Sequence, residues 1–218
     1  MHLWLDTTHI RTIQKAVRLG LLSGITTNPT LLAATQRSLE DILEDLLHYQ
    51  EGPVAVQVAA EEPMEIVHQG QTLHALSNRL IIKIPATKNG LEAIHLLSRQ
   101  GIPTMATAIY HPHQALMAAL AGAHYAVPYV GRLEKAGGNP WEMLQATNQV
   151  FETYHLKTKL LAASLSNIEH VMRCTQIGLY GATVKEEVFE QLIASPSLTL
   201  TTVEEFSAEW KRIPTSLF

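Results

Sequence analysis

The chain alternates between short apolar runs and longer segments in which apolar residues recur at helical spacing. In one of the longer segments, Ile42, Leu43, Leu46 and Leu47 fall on a single helical face. The runs between such segments contain few charges, which is typical of parallel strands buried on both faces. Eight runs occur, at residues 2–6, 24–27, 54–58, 80–84, 103–108, 125–130, 159–164 and 181–184.

Eight strand–helix repeats in a chain of 218 residues leave no room for a second domain. We therefore predict an α/β fold, a single (β/α)8 TIM barrel over residues 1–218, near the small end of the size range for this fold. An open doubly wound sheet is the alternative. The chain contains neither of the glycine-rich phosphate loops, GxGxxG or GxxxxGKS/T, that often accompany such sheets.

An additional C-terminal helix is predicted at about residues 201–213, where Val203, Phe206, Trp210 and Ile213 share one face. It either closes the bottom of the barrel or packs onto a neighbouring subunit. Start signals mark four earlier helices: three are capping residues followed by an acid three positions later, and one is an asparagine before a proline. These capping residues are Ser38, Asn89, Ser166 and Asn139.

Composition and charge narrow the range of partners. The net charge is −4 and no basic face dominates, so we expect no nucleic-acid partner. The single cysteine, Cys174, excludes an internal disulfide and fits a reducing compartment. No signal peptide and no membrane-spanning run are expected. These features predict a cytoplasmic protein.

Polar residues at the ends of the predicted strands indicate a functional site. In a βα barrel the carboxyl ends of the strands carry the active site, and seven of the eight strands bring a polar residue there. The eighth strand, which ends near Val184, offers little. Unpaired polar groups inside a core cost free energy, so this coincidence favours function. The residues are Asp6, Thr26, Asn28, Gln57, Lys83, Thr107, Tyr129, Arg132 and Ser164.

Each of these residues taken alone also has a structural explanation. Asp6 can cap the first helix, Lys83 can extend to the solvent at the rim, and Arg132 can pair with Glu134 on the surface. The functional hypothesis rests on their occurrence together.

Lys83 is the most informative of the set because it lies within the apolar strand LIIKI. Burial disfavours the charged ammonium and lowers the pKa of the amine. A neutral amine is a nucleophile that condenses with a ketone to form a Schiff base. This chemistry needs no metal and no organic cofactor, but it does need a proton shuttle and a positioned water. Gln57, Thr107 and Tyr129 can hold such a water, and Asp6 and Asn28 can bind or deprotonate a substrate hydroxyl.

The chain resembles the small transaldolase family, and within it the fructose 6-phosphate aldolases. The resemblance extends over essentially the whole chain, with the motifs in the family's order and spacing. The motifs are LDT (5–7), GITTNPT (24–30), VQV (56–58), IKIPAT (82–87), TAIY (107–110), ALAGAHYAVPYVGR (119–132) and LAAS (161–164).

The resemblance implies a class I aldolase on a βα barrel that acts on a sugar or sugar phosphate. It implies catalytic roles for Lys83 as the Schiff-base lysine, Asp6 at the substrate hydroxyls, and Tyr129, Gln57 and Thr107 at the catalytic water. Substrate binding is expected from Thr26, Asn28, Arg132 and Ser164, the last two as the phosphate anchor. The resemblance also implies a homo-oligomer, a pentamer or a decamer, in which the C-terminal helix reaches the next subunit.

Two subgroups of the family differ at the residues that hold the water. Transaldolases usually carry glutamate at the position of Gln57 and phenylalanine at that of Tyr129, whereas the aldolases carry glutamine and tyrosine, as this chain does. Glutamine does not titrate, which leaves proton transfer to the tyrosine hydroxyl. Gly131 matches the transaldolase pattern instead. No basic residue follows Ser164 at Leu165–Ser166, where relatives often carry one, so Arg132 is the expected main phosphate cation.

Three alternatives remain open. A transaldolase would share the Schiff base and pass the dihydroxyacetone unit between sugar phosphates in the pentose phosphate pathway. A metal-dependent aldolase or hydrolase would use His111 and His113 near the mouth of the barrel, although two histidines at that spacing are a weak ligand set. A non-catalytic sugar-binding barrel would keep the fold without the chemistry.

Overall fold

The structure is a computed structural model that describes residues 1–214, and residues 215–218 of the predicted domain lie outside the described part. Eight parallel strands each pair with the next along the chain, and β8 pairs with β1, so that the sheet closes. The predicted TIM barrel is therefore confirmed. The strands are β1 His2–Asp6, β2 Gly24–Thr26, β3 Val54–Gln57, β4 Leu80–Pro85, β5 Thr104–Ile109, β6 Tyr125–Pro128, β7 Lys159–Ala162 and β8 Gly181–Val184.

Helices alternate with the strands, two of them after β2 and two after β6, and an extra helix ends the described chain. They are α1 Ile10–Arg18, α2 Pro29–Ala34, α3 Leu39–His48, α4 Pro63–Leu76, α5 Lys88–Ser98, α6 Pro112–Ala121, α7 Val130–Lys135, α8 Pro140–Thr153, α9 Ile168–Ile177, α10 Glu186–Ile193 and α11 Ser197–Trp210.

Side-chain alternation puts a polar layer directly above an apolar layer inside the barrel. Residues two apart on a strand share a face, so each inward-facing apolar residue is followed two positions later by an inward-facing residue nearer the mouth. The apolar layer consists of Trp4, Ala55, Ile81, Met105, Tyr125, Val127, Leu161 and Ala163. Five polar residues stand two positions after five of these: Asp6, Gln57, Lys83, Thr107 and Tyr129.

The opposite faces of the strands form the second core, between the barrel and its helices. Leu5, Ile82 and Ile84 are fully buried there against apolar side chains of the surrounding helices. Because the strands are covered on both sides, their sequences lack the alternation of apolar and polar residues that a strand with one solvent-facing side shows. This explains why the strands read in the sequence as nearly continuous apolar runs.

Two of the four predicted helix caps are wrong. Ser38 and Asn139 do cap α3 and α8, since their side chains accept hydrogen bonds from backbone N–H groups of the first turn. The cap of α5 is Thr87 rather than Asn89. The cap of α9 is Asn167 rather than Ser166. In both cases another good capping residue stands nearby in the sequence.

The C-terminal helix α11 exists, but it begins and ends earlier than the predicted 201–213. It starts directly after Pro196, whose fixed φ suits a helix start, and Ile213 lies in the turn beyond its end. No residue of α11 is buried, and Phe206 and Trp210 are 64% and 58% exposed. The helix therefore does not close the bottom of the barrel. Within residues 1–214 no helix, α11 included, has the length and apolar character needed to cross a bilayer.

Candidate active site

A cavity of about 400 Å³ opens at the carboxyl ends of the strands. Thr26 is the one predicted site residue that does not line it. Thr26 is fully buried opposite Asp6 in the register of β1 and β2, and it contacts the site through its hydrogen bond to Asp6. The other eight predicted residues line the cavity: Asp6, Asn28, Gln57, Lys83, Thr107, Tyr129, Arg132 and Ser164.

The amine of Lys83 is buried in the wall of this cavity, and the residue is only 3% exposed. Its Nζ donates a hydrogen bond of 2.9 Å to the backbone carbonyl of Thr27, the one protein acceptor within reach among residues 1–214. Burial lowers the pKa of Lys83, the nearby Asp6 carboxylate opposes this shift, and Arg132 adds to it. Burial therefore favours the neutral amine more at Lys83 than at an exposed lysine.

Asp6 is held by donors on both carboxylate oxygens. Thr26 donates to Oδ1 at 2.8 Å, and the side-chain amide of Asn28 donates to Oδ2 at 3.4 Å. The Oδ1 of Asn28 caps α2 by accepting from the N–H of Leu31, which fixes the orientation of its amide. Since the hydroxyl hydrogen of Thr26 goes to Asp6, the 2.7 Å contact between Thr26 and Thr183 must be donated by Thr183. The carboxylate is thus fixed in position on the side of the cavity formed by β1, β2 and β8.

Tyr129 extends from the end of β6, and its hydroxyl lies 2.8 Å from Oγ1 of Thr107. Burial raises the pKa of Tyr129, and the Arg132 guanidinium, 5.2 Å from the ring centre, acts in the opposite direction. The ring of Tyr110 packs edge-on against that of Tyr129 at 5.7 Å. The phenol is therefore protonated near neutral pH and can donate a proton, and its ring is held from two sides.

Gln57 and Thr107 flank Lys83 on the neighbouring strands. Gln57 is in register with Lys83 across β3 and β4, so the two side chains share the inner face about 5 Å apart. Thr107 lies on β5, on the other side of Lys83. The pairing of β5 with β6 shifts in register between Ala106 and Ile109, and Ala108 has a φ of +57°. A non-glycine residue in this left-handed region is strained. The irregularity lies where Thr107 meets Tyr129, so it belongs to the site.

A backbone hydrogen bond joins the turn between β6 and α7 to the end of β7, and this contact positions Arg132. The N–H of Gly131 donates to the carbonyl of Ser164 at 2.8 Å. A Cβ at Gly131 would lie 2.5 Å from that same oxygen, so no side chain fits there without moving Ser164. Ser164 itself has a φ of +60°. Glu134 pairs with the buried His170 at 3.4 Å rather than with Arg132, which leaves the exposed guanidinium over Tyr129.

Strand eight contributes more than the sequence suggested. Thr183 and Lys185 both line the cavity, so the expectation that this strand offers little is wrong. Side-chain alternation along the strand accounts for both positions. Gly181 lies beside Leu161 of the apolar layer. Thr183 follows it by two positions and Lys185 by four, so both side chains face the same way. Sequence reasoning missed Lys185 because the segment KEEVFEQL is typical of the start of a helix.

The two histidines after β5 do not form part of a larger ligand set. His111 caps α6, and its Nδ1 lies 2.7 Å from Nδ1 of His113 on the exposed surface. The described residues contain no group of three histidine, cysteine or acidic side chains that could hold a metal ion.

Comparison with known proteins gives the family. A family model described as Transaldolase/Fructose-6-phosphate aldolase matches residues 3–217. The chain is 39% identical over 214 residues to a probable transaldolase of Coprothermobacter proteolyticus, which covers 98% of both chains. It is 35% identical over 218 residues to a probable transaldolase of Aquifex aeolicus, which covers 100% of both. It is 36% identical over 216 residues to one from Thermoplasma volcanium, which covers 98% of this chain and 96% of the relative. The chain thus belongs to the transaldolase/fructose-6-phosphate aldolase family.

Proposed function

We propose that the protein is a class I aldolase similar to fructose 6-phosphate aldolase. It reversibly forms and cleaves a C–C bond between a dihydroxyacetone-type donor and an aldehyde acceptor such as glyceraldehyde 3-phosphate. The observation that carries this proposal is the buried amine of Lys83, which has one backbone acceptor and lies in a polar cavity with Asp6 and Tyr129. We also propose that it acts in the cytoplasm, in line with its single, buried, unpaired cysteine.

Catalysis begins when the neutral amine of Lys83 attacks the ketone carbon of the substrate. The resulting carbinolamine loses water to give an iminium, and the protonated hydroxyl of Tyr129 supplies the proton for the departing oxygen. A water held by Gln57 and Thr107 carries protons between this hydroxyl and the substrate. The same water hydrolyses the iminium at the end of the cycle and returns Lys83 to its free form.

Bond cleavage uses the iminium as the electron acceptor. The carboxylate of Asp6 removes the proton from the substrate hydroxyl next to the breaking bond. The C–C electrons move toward the iminium nitrogen to give an enamine, and the aldehyde leaves. Asp6 suits this step because Thr26 and Asn28 hold both of its oxygens in place. The reverse sequence of steps forms the bond.

A transaldolase is the second candidate, and two observations favour it. The relatives named above are called probable transaldolases, and Gly131, which the backbone of Ser164 leaves no room to replace, follows the transaldolase pattern. Gln57 and Tyr129 favour the aldolase. The two activities share every step up to the enamine, and they differ in whether the enamine is protonated and released or passed to a second sugar phosphate.

We further propose that residues 1–218 form one domain that assembles into a homo-oligomer, a pentamer or a decamer, through α11. The apolar side chains of this helix are exposed, and large exposed apolar patches are typical of protein interfaces.

Replacing Phe206 and Trp210 together by glutamate should lower the mass measured by light scattering, whereas Met64→Glu on α4, 67% exposed, should not. A wild-type protein that is already a monomer would contradict this proposal.

The Schiff base is tested by trapping. After incubation with dihydroxyacetone and reduction with borohydride, mass spectrometry should find the reduced adduct on the peptide that contains Lys83. Lys83→Ala should give no adduct and no C–C bond cleavage, because the nucleophile is gone. Lys88→Ala, at the exposed start of α5, is the matched control and should keep both. An adduct on another lysine, or none in the wild type, would contradict the proposal.

The proton donor is tested with Tyr129→Phe. Removal of the hydroxyl should lower turnover by roughly 10²- to 10⁴-fold, the usual range for a general acid–base group. Lys83 is retained, so the reduced adduct should still accumulate after a long incubation. Tyr110→Phe changes the ring that packs against Tyr129 and should have a much smaller effect. Equal turnover in Tyr129→Phe and the wild type would remove the tyrosine from the mechanism.

The choice between aldolase and transaldolase is tested by the fate of fructose 6-phosphate. With no acceptor present, the wild type should release free dihydroxyacetone from it. Gln57→Glu introduces a titrating carboxyl and should raise the ratio of transfer, measured with an added aldose phosphate, to release. Gln57→Asn keeps a neutral amide and should not raise this ratio. Wild-type turnover that depends on an added acceptor would make the protein a transaldolase.

A further inference from the structure

Lys185 adds a second exposed cation to the mouth of the cavity. It stands directly after β8, and its backbone is still extended, with φ −74° and ψ 168°. Thr183, two residues earlier, points into the barrel, where its hydroxyl meets that of Thr26. Because side chains two apart on an extended chain share a face, Lys185 points to the same side. Both residues line the cavity.

The ammonium of Lys185 is not used by the rest of the described protein. No carboxylate of residues 1–214 lies within 4.0 Å of it. The acid beside it in the sequence, Glu186, contacts His9 and accepts a 3.1 Å hydrogen bond from Thr7. Another acid on the same helix, Glu190, pairs with Lys15. The charge of Lys185 is therefore available to a ligand.

Lys185 also occupies a position that local stability does not favour. It is the N-cap of α10, and its side chain makes no capping hydrogen bond. Lysine has no acceptor for the free N–H groups of a first turn, and its positive charge lies at the positive end of the helix dipole. Serine or aspartate would stabilise this helix start. The stability of α10 therefore gives no reason for a lysine at this position.

The two cations flank the end of β7. Arg132, Ser164 and Lys185 follow three consecutive strands, β6, β7 and β8, on the same rim of the barrel. Phosphate sites of TIM barrels are frequently built from the loops after strands seven and eight. Ser166, which comes after β7, brings no positive charge to this rim, so Lys185 is the one cation that the loops after β7 and β8 supply to the cavity lining.

We propose that Lys185 is a specificity-determining residue that binds the phosphate of the substrate together with Arg132 and Ser164. This inference rests on the proposed aldolase or transaldolase function. Two cations on opposite sides of Ser164 hold a phosphate dianion better than one, and the charge-assisted hydrogen bonds favour phosphorylated over unphosphorylated sugars. The anionic end of the substrate then lies at the β6–β8 side of the mouth, with Lys83 at the carbonyl.

The kinetic test compares phosphorylated with unphosphorylated substrates. In Lys185→Ala, the ratio of kcat/KM for glyceraldehyde 3-phosphate to that for glyceraldehyde as acceptor should fall about 10- to 100-fold, the range for a charge-assisted hydrogen bond. Lys185→Arg should restore most of this ratio. Lys157→Ala removes the same charge at the opposite end of the barrel and should leave the ratio as in the wild type. An unchanged ratio in Lys185→Ala would overturn the inference.

A binding measurement keeps the inference testable apart from catalysis. Inorganic phosphate should raise the melting temperature of the wild type, since a ligand bound to the folded state stabilises it, and this shift should be much smaller in Lys185→Ser. The melting temperature of Lys185→Ser without phosphate should equal or exceed that of the wild type, because serine is a better cap. An equal phosphate shift in both proteins, or none in the wild type, would overturn the inference.

The borohydride adduct on Lys83 separates this inference from the proposed function. If wild type and Lys185→Ala both form the adduct with dihydroxyacetone while the acceptor ratio and the phosphate shift stay unchanged, only the role of Lys185 fails. If the wild type forms no adduct, the proposed function fails, and the phosphate shift alone then decides whether Lys185 binds anions.

Discussion

Burial of the Lys83 amine is the constraint on which the rest of the site depends. A lysine on an inner strand of a closed barrel loses its hydration, and the structure gives it one backbone acceptor, the carbonyl of Thr27, in exchange. The free energy lost by desolvation appears as a lowered pKa. The barrel makes this possible because β4 is covered by helices outside and stands on an apolar layer inside, with Ile81 directly below Lys83. An open or solvent-facing sheet would let the amine reach water and stay charged.

Other groups in the cavity are ordered around this amine, and some of them are held at a cost. Asp6 is close enough to affect the pKa of Lys83, yet its two oxygens are occupied by Thr26 and Asn28. Ala108 and Ser164 both adopt left-handed backbone conformations without being glycine. Such strain is usually kept only where the surrounding structure enforces it, and it concentrates at functional sites. Both residues line the cavity.

The sequence predicted the barrel and most of the residues that line the cavity, because both depend on the same local rule. Alternation along a strand fixes which residues face inward, so Gln57, Lys83 and Thr107 could be placed from their own runs. Prediction from the sequence failed where a contact depends on residues that are far apart in the chain or on where a strand ends. The pairing of Glu134 with His170, 36 positions apart in the printed sequence, could not be foreseen, and it leaves Arg132 free of that acid. Lys185 was missed because it lies one residue beyond a short strand, where helix-forming residues begin.

The proposed role of Lys83 is tested most directly by measuring its protonation state in the folded protein. The rate of acylation of individual lysines by a small activated ester can be followed by mass spectrometry from about pH 5 to about pH 11, with the exposed Lys88 as internal reference. A group with a lowered pKa reaches its maximal rate at lower pH, because the reactive form is the neutral amine. We predict that the rate for Lys83 levels off at a clearly lower pH than the rate for Lys88. Coincident profiles, with Lys83 titrating near the usual lysine value of about 10.4, would contradict it.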